Sequence, residues 1–363
     1  LLQRTILYGA HLSLGARMIP FAGWEMPVHY SGILGEHLAV RTRAGLFDVS
    51  HMGRIFLRGD AALGLIQRLA TNDVSRLADE QVQYSALCYP EGTFVDDVLV
   101  YRLSDREFMI CTNASNREKD LHWILDHAEG KVSVADESRI LTQLALQGPR
   151  SQQILSSLTP LDLSQIRHHH FLRGEVDAVP TIISRTGYTG EDGFELYFPV
   201  RGAEHLWEKI LEAGEPLGLL PAGLGARNTL RMEAGMCLYG QDIDDQHTPI
   251  EANLLFIVKP DKGDYLGREV HSRQLREGTA LKLIGLEMVG RGIPREHYQI
   301  FKSGKRMGEV TSGGFAPSLK KNIALAYIQS QYAAIGTEME VEIRGYRVPA
   351  RVVPIPFYQR KGH

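Results

Sequence analysis

Tyr84-Ser-Ala-Leu-Cys-Tyr-Pro-Glu-Gly-Thr-Phe-Val-Asp-Asp-Val-Leu-Val-Tyr101 reads as strand, turn, strand. Pro90, Glu91 and Gly92 supply the turn chemistry. From Phe94 to Tyr101 every residue is β-branched or aromatic except Leu99 and two carboxylates, Asp96 and Asp97. Side chains alternate across a strand, so Val95, Asp97, Leu99 and Tyr101 share one face, and Phe94, Asp96, Val98 and Val100 share the other. The two carboxylates therefore cannot work as a dyad. One of them stands alone among apolar neighbours, which is costly unless it is hydrogen-bonded or used. Within this strand alone, an Asp held by a nearby backbone N–H is the simpler reading.

The chain around it has 363 residues, too many for one typical core, so two or three domains are expected. Charged residues make up 23% and hydrophobic residues 44%, the balance of an ordinary globular protein. With 40 basic and 43 acidic residues the net charge is −3, which gives no electrostatic case for binding nucleic acid. No apolar run approaches a membrane span, and Leu1 to Leu7 is too short for a secretory signal. Cys88, Cys111 and Cys237 are odd in number and far apart. They form neither a disulfide framework nor a zinc motif, and a reducing compartment fits them; the expected location is cytoplasmic, or the mitochondrial matrix in a eukaryote.

Taken in order, residues 15 to 30 are rich in Gly, Pro and aromatics and read as a packed irregular segment. Glu36 to Ala44 has a helical pattern that stops at Gly45. An extended stretch through His51 leads into a strand, Arg54 to Arg58; His51 reads as structural and takes no role. Ala61 to Ala70 is helical. After Tyr101, the residues Ser104-Asp105-Arg106 make a hairpin turn into Glu107 to Asn113, where Met109, Cys111 and Asn113 share a face. Ser115-x-x-Glu118 has the form of a capping box. Ile140 to Leu146 is a strand. His168-His169-His170 invites a metal reading, but alternation along a strand would point these side chains apart, so no metal is expected. Thr186-Gly-Tyr-Thr-Gly-Glu-Asp-Gly193 places three glycines at three-residue spacing in a compact loop. A plain hairpin turn explains it, and no Walker lysine follows. Gly223-x-Gly225 opens a helix with no clear strand before it and lacks a dinucleotide fingerprint. Arg227 lies near that helix start, where the dipole disfavours a cation; this points either to an anionic partner or to a surface arginine. From Leu281 onward short strands alternate with glycine turns, an all-β terminal domain.

Together these pieces resemble the T-protein of the glycine cleavage system, the tetrahydrofolate-dependent aminomethyltransferases. The carriers are Phe21-Ala-Gly-Trp-Glu-Met-Pro27, Gly45-Leu-Phe-Asp-Val-Ser-His-Met52, Val95-Asp-Asp97, Asn116-Arg-Glu-Lys-Asp120, Thr186-Gly-Tyr-Thr-Gly-Glu191, Gly223-Leu-Gly-Ala-Arg227, Leu238-Tyr-Gly-Gln241, Thr311-Ser-Gly313 and Pro356-Phe-Tyr358. Their order over the whole chain is specific where no single motif is. The resemblance implies an α+β fold of three domains in a ring around a central folate site. Residues 1–52 plus 139–275 would be an interrupted folate-binding domain, 53–138 an inserted α+β domain, and 280–363 a β-barrel or jelly-roll-like domain. It makes Asp97 the catalytic carboxylate. Glu195, Arg227, Asn113 and Tyr188 would hold the pterin of tetrahydrofolate between walls formed by Met52, Tyr84 and Tyr101. The implied partner is lipoylated H-protein. No metal is implied.

The chain departs from the family pattern at Asn228, at His168 to Phe171, at Phe256 and at Gly92-Thr93. Relatives of this fold include the folate domains of sarcosine and dimethylglycine dehydrogenases, which carry an added flavin domain absent from this chain. A tRNA-modification factor carries a Cys-containing motif where this chain has Lys262-Gly-Asp-Tyr-Leu-Gly-Arg268. A tetrahydrofolate-dependent demethylase and a non-catalytic folate-binding regulator are the remaining alternatives, and retention of Asp97 argues against the second.

Overall fold

The computed structural model describes residues 2–360. The chain forms a mixed α+β structure of two compact units. The first comprises Leu1–Gln67, Asp73–Tyr84 and Val98–Asn228; the second comprises Arg68–Asn72, Ser85–Asp97 and Thr229–His363.

The first unit is built on a six-stranded sheet. Its order is Phe171–Val176, Val179–Ser184, Gly193–Pro199, Leu141–Gln147, Ala44–Asp48 and Leu219–Pro221. All pairs are antiparallel except the last. Alternation gives this sheet two unlike faces. Leu46, Leu144, Leu146, Phe194 and Leu196 form one face and are buried against Leu206, Trp207 and Ile210. Those three lie on the helix Ala203–Gly214, whose apolar residues recur at helical spacing. The opposite face carries Gln143, Gln147, Glu195 and Tyr197, with Tyr197 registered against Gln143 and Glu195 against Ala145.

A five-stranded sheet has the order Gln81–Cys88, Phe94–Ser104, Glu107–Thr112, Gly53–Arg58 and Ser133–Asp136. The unit boundary passes along its first two strands, at Tyr84/Ser85 and Asp97/Val98. Within the first unit, Phe56, Tyr101, Met109 and Cys111 from this sheet share a buried cluster with Phe171 and Tyr197, and Met52 and Leu99 pack at its margin. The second unit contains a closed antiparallel barrel of six strands between Leu281 and Val353. Leu286, Ile300, Val310, Ala326, Ile328, Val341 and Val352 fill it.

Five local readings change. The helix read over Glu36 to Ala44 runs Ile33–Thr42, and Ala44 and Gly45 begin the next strand instead of ending the helix. Residues 17–29 are a β-hairpin, Arg17–Phe21 paired with Trp24–His29, rather than irregular chain. Its two-residue turn has Ala22 at φ 48° and Gly23 at φ 80°, the left-handed pair that matches strand twist. Pro20 and Pro27 obscure it, and a two-stranded ribbon tolerates them because it has only edges. A strand does precede Gly223: Leu219–Pro221, three residues long and parallel to Ala44–Asp48. The helix after Ser115 begins at Arg117 with Asn116 at its cap position, so Ser115 is not the cap. His168–His170 is a turn rather than a strand, with His169 at φ 58°, and Phe171 begins the strand.

Close packing fixes the Gly223 turn. A Cβ there would lie 2.5 Å from the Val28 carbonyl, and the Gly223 N–H donates to the buried Glu36 carboxylate at 2.9 Å. Gly64, inside the helix Ala62–Leu69, has open space around the same position. Gly223→Ala should therefore destabilise by about 1–3 kcal/mol, and Gly64→Ala should stabilise by about 0.5–1 kcal/mol. Urea titrations of the two variants check this; equal midpoints would remove the packing account.

Candidate active site

Glu195 is 5% exposed, on the polar face of the six-stranded sheet. Both of its carboxylate oxygens accept hydrogen bonds. The Thr186 hydroxyl donates to Oε2 at 2.6 Å, and Gln143 Nε2 donates to Oε1 at 3.1 Å. The second Gln143 amide hydrogen goes to the Tyr197 hydroxyl at 3.2 Å. Tyr197 and Tyr101 meet hydroxyl to hydroxyl at 2.8 Å, and Tyr101 lies 3.3 Å from the Thr186 hydroxyl. Ser184 Oγ is 3.0 Å from the same oxygen, and the Cys111 thiol donates to Gln143 Oε1 at 3.7 Å. Burial, with the Glu195 charge adding, raises Tyr101 and Tyr197 above the ordinary phenol range and pushes Cys111 up to about 12. All three therefore stay protonated and act as donors.

Four residues beyond Gln143 on the same strand, Gln147 holds the glycine loop. It donates to the Thr186 carbonyl at 3.1 Å and accepts from the Thr189 hydroxyl at 2.9 Å. A Cβ at Gly187 or Gly193 would strike the Gln147 side chain, at 2.0 and 2.6 Å. The loop is a hairpin connection between neighbouring strands, and its glycines let this side chain in. It presents Tyr188, and Arg227 stacks on that ring with its guanidinium carbon 4.6 Å from the centroid. Arg227 is the fourth residue of the helix Leu224–Glu233. Burial pulls its guanidinium below the ordinary value, and Glu195 is the largest charge opposing that fall.

His51 and Met52 follow the strand Ala44–Asp48. Arg54 is completely buried and donates to the carbonyls of Ser50, Met52, Ser138 and Leu141, which fixes the turn that carries Met52. His51 is 2% exposed, and its Nδ1 has no hydrogen-bond partner among the described residues. Tyr84 is half-buried, and Asn113 follows directly on the strand Glu107–Thr112.

Asp97 belongs to the second unit. It is half-buried, whereas Asp96 is wholly buried. All of Phe94, Asp96, Val98 and Val100 are buried; on the other face Val95 and Tyr101 are buried too, and Asp97 and Leu99 are partly open. Within the second unit the preceding turn is fastened: Gly92, at φ 82°, accepts a 2.7 Å hydrogen bond from His271 Nε2, and Phe94 N–H donates to the His247 carbonyl at 3.1 Å. Burial raises the Cys237 thiol well above its usual value, with Asp242 and Asp97 adding to the rise. Asp242 is neutralised by Arg231 at 2.5 Å, and Ser312 bonds both partners.

Residues 7–262 match the model of the GCVT N-terminal domain, and residues 282–359 match that of the glycine cleavage T-protein C-terminal barrel domain. The chain belongs to the glycine cleavage T-protein family. It is 52% identical over 362 residues to an aminomethyltransferase of Desulfitobacterium hafniense, covering 99% of each chain. It is 50% identical to one of a Geobacillus species, covering 99% of this chain and 100% of the relative. The crystal structure of the glycine cleavage system aminomethyltransferase T from Bartonella henselae superposes with a TM-score of 0.93 at 35% identity, over 99% of each chain. Among the family's departures here, Asn228 and Phe256 are both exposed, Phe256 by 61%. Among the described residues no group of three or more His, Cys, Asp and Glu side chains could hold a metal ion.

Of the residues singled out in the sequence, Glu195 and Tyr101 join one hydrogen-bonded network, Arg227 and Tyr188 form a stack, and Met52 shares the apolar cluster of Tyr101. Gln143, Thr186, Tyr197 and Cys111 were not legible as site residues. The one signal available was a glutamine interrupting an apolar strand, Leu141-Thr-Gln-Leu-Ala-Leu-Gln147.

The burial of His51 has a consequence in acid. Burial, and then the Arg227 and Arg54 charges, lower His51 to about 3 against the opposing pull of Asp48. An unfolded histidine takes its proton near 6.5, so between about pH 6.5 and 3 the unfolded chain holds a proton that the folded chain refuses. Stability therefore falls as pH falls through that window, by up to about 1.4 kcal/mol per pH unit. Asp48 is held at about 2 because hydrogen bonds from His11, Ser50 and Thr5 outweigh its burial, and it contributes only below about pH 4. His51→Gln should flatten the slope of unfolding free energy against pH between pH 6 and 4 by close to one proton. An unchanged slope in urea titrations would exclude His51 as the responsive group.

Proposed function

We propose that this aminomethyltransferase takes the one-carbon unit from an aminomethyl-dihydrolipoyl arm carried by H-protein and passes it to tetrahydrofolate. Two folate N–H bonds are replaced by bonds to the methylene carbon. The carbon–nitrogen and carbon–sulfur bonds break, and the two protons leave with ammonia and the dihydrolipoyl thiol. The observation that carries the reading is the asymmetry of the two carboxylates: Asp96 is wholly buried among buried neighbours, and Asp97, beside Leu99, is half-buried.

In this reading the carbon develops iminium character as the folate nitrogen attacks. Asp97 stabilises that cation and positions or deprotonates the attacking amine. The turn at Gly92, pinned by His271, gives it a rigid mount. A pterin presents an aminopyrimidinone edge that needs an acceptor and donors, and a flat ring that needs apolar walls. Glu195 is the acceptor. Arg227 and Asn113 are donors, Tyr188 stacks, and Met52, Tyr84 and Tyr101 are walls. The three-domain ring around the folate belongs to the same proposal. H-protein docks weakly and transiently, aided by electrostatic steering. A free aminomethylated dihydrolipoyl compound should react less efficiently than the loaded carrier protein, and equal efficiency would remove the docking step.

Glu195→Ala should raise the tetrahydrofolate Kd at least tenfold, about 1.4 kcal/mol; unchanged affinity by calorimetry would take Glu195 out of the site. Asp97→Asn keeps shape and removes charge. Folding and folate binding should be nearly intact, with kcat reduced on the order of 10²–10⁴-fold. Asp96→Asn should change stability and leave activity per folded molecule close to that of the native enzyme. Steady-state kinetics with melts on both variants decide the assignment, and the reverse pattern would overturn it.

A further inference from the structure

Glu195 is held by an arrangement whose hydrogen atoms can be assigned. Thr186 has one hydroxyl hydrogen, and its 2.6 Å contact with the Glu195 carboxylate uses it. Thr186 Oγ1 must then accept from its other two neighbours, Tyr101 at 3.3 Å and Ser184 at 3.0 Å. With the Tyr101 hydrogen committed to Thr186, the 2.8 Å contact between the phenols requires Tyr197 to donate to Tyr101. Tyr197 in turn accepts from Gln143. Gln143 Nε2 supplies both that bond and the one to Glu195 Oε1, while its Oε1 accepts from Cys111. Every donor in the circuit points toward the carboxylate, and Gln143 feeds both arms of it. A circuit with one direction strengthens each of its bonds and fixes the orientation of its end group.

We infer that Gln143 is a positioning residue for the reaction: it sets Glu195 as a fixed, acceptor-only carboxylate for the pterin edge, without touching the pterin itself. The inference rests on the folate reading of Glu195 given above. It separates the two glutamines of this strand. Gln143 governs Glu195, and Gln147 governs the glycine loop. Both lie on one face because their separation of four residues is even. Gln143 is 1% exposed, and both ends of its amide are engaged inside the protein. A purely structural glutamine would fill the same volume, but it would not make folate affinity depend on the state of Glu195.

The test is a double-mutant cycle on the full chain, with tetrahydrofolate Kd measured by calorimetry and kinetics measured at saturating folate. Gln143→Met keeps the length and removes the donors. It should raise the folate Kd and KM about tenfold and leave kcat within about twofold. On a Glu195→Gln background the same change should move Kd by less than about twofold, because the group it positions is gone. Full additivity would overturn the inference, as would an unchanged Kd for Gln143→Met beside a weakened Glu195→Gln. If Glu195→Gln alone leaves Kd unchanged, the folate reading of Glu195 fails and the role of Gln143 falls with it.

Gln143→Glu guards against a variant that does not fold. It preserves size, keeps one donor when protonated and none when ionised, and sets a second carboxyl against the first. The titratable groups that sense the Glu195 charge are Tyr101, Cys111, Tyr197 and Arg227, and none of them titrates between pH 5 and 8 in the native protein. The new pair should share one proton in acid and lose it as pH rises. Folate affinity of Gln143→Glu should therefore be closest to native at pH 5 and fall progressively toward pH 8. A profile parallel to that of the native enzyme would overturn the assignment.

Discussion

A carboxylate that is 5% exposed needs donors for both oxygens, and supplying them at Glu195 constrains much of the first unit. The donors come from distant parts of the chain. Tyr101 and Cys111 lie on strands of the five-stranded sheet, Gln143 and Tyr197 on strands of the six-stranded sheet, and Thr186 on the loop beyond another of its strands. A slip of one residue in either central strand would replace Gln143 by Leu144 or Tyr197 by Leu196, and the circuit would open. The apolar core on the opposite face resists the same slip, because it would bring Gln143 and Glu195 among Trp207, Phe194 and their neighbours. Register is thus specified twice, once by polar satisfaction and once by burial.

The glycines near the site serve these contacts. Gly187 and Gly193 admit the Gln147 side chain, and Gly223 admits the Val28 backbone. In each case a Cβ would occupy space that another group already fills. The loop that presents Tyr188 is therefore tied to the sheet through a side chain rather than left to its own conformational freedom. That suits a residue stacked by Arg227, because a stack on a mobile loop would lose the entropy of ordering the loop each time a ligand bound.

Much of this was legible in the sequence where a period or a turn residue announced it. The strand through Asp97, the turn at Gly92, the helix read over Ala61 to Ala70 and the all-β character of the terminal domain follow from alternation, glycine placement or helical spacing. The hairpin at 17–29 was hidden by Pro20 and Pro27, and the strand Leu219–Pro221 by having only three residues. The network around Glu195 was hidden for a different reason. Its members are separated by up to 96 residues, as between Tyr101 and Tyr197, and cross-strand register leaves no local period. His51 read as structural, and the structure adds that its Nδ1 is buried with no partner among the described residues. Nothing in its sequence neighbours, Ser50 and Met52, signals the two arginines that keep it neutral.

The second unit handles its buried charge by pairing instead of by a neutral network. Arg231 and Asp242 are 1% and 0% exposed, and Ser312 adds a hydrogen bond to each. A buried pair of this kind adds little net stability over an apolar pair, because desolvation offsets most of the attraction. Its effect is felt in the surroundings. Asp242 is matched by Arg231, and burial, with Asp242 and Asp97 adding, holds the Cys237 thiol protonated, so the thiol adds no charge of its own. The proposed role of Asp97, stabilising a developing cation, requires it to be ionised before the substrate arrives. A matched Arg231–Asp242 pair brings no net charge of its own to that part of the unit, and neither residue need touch the reacting groups.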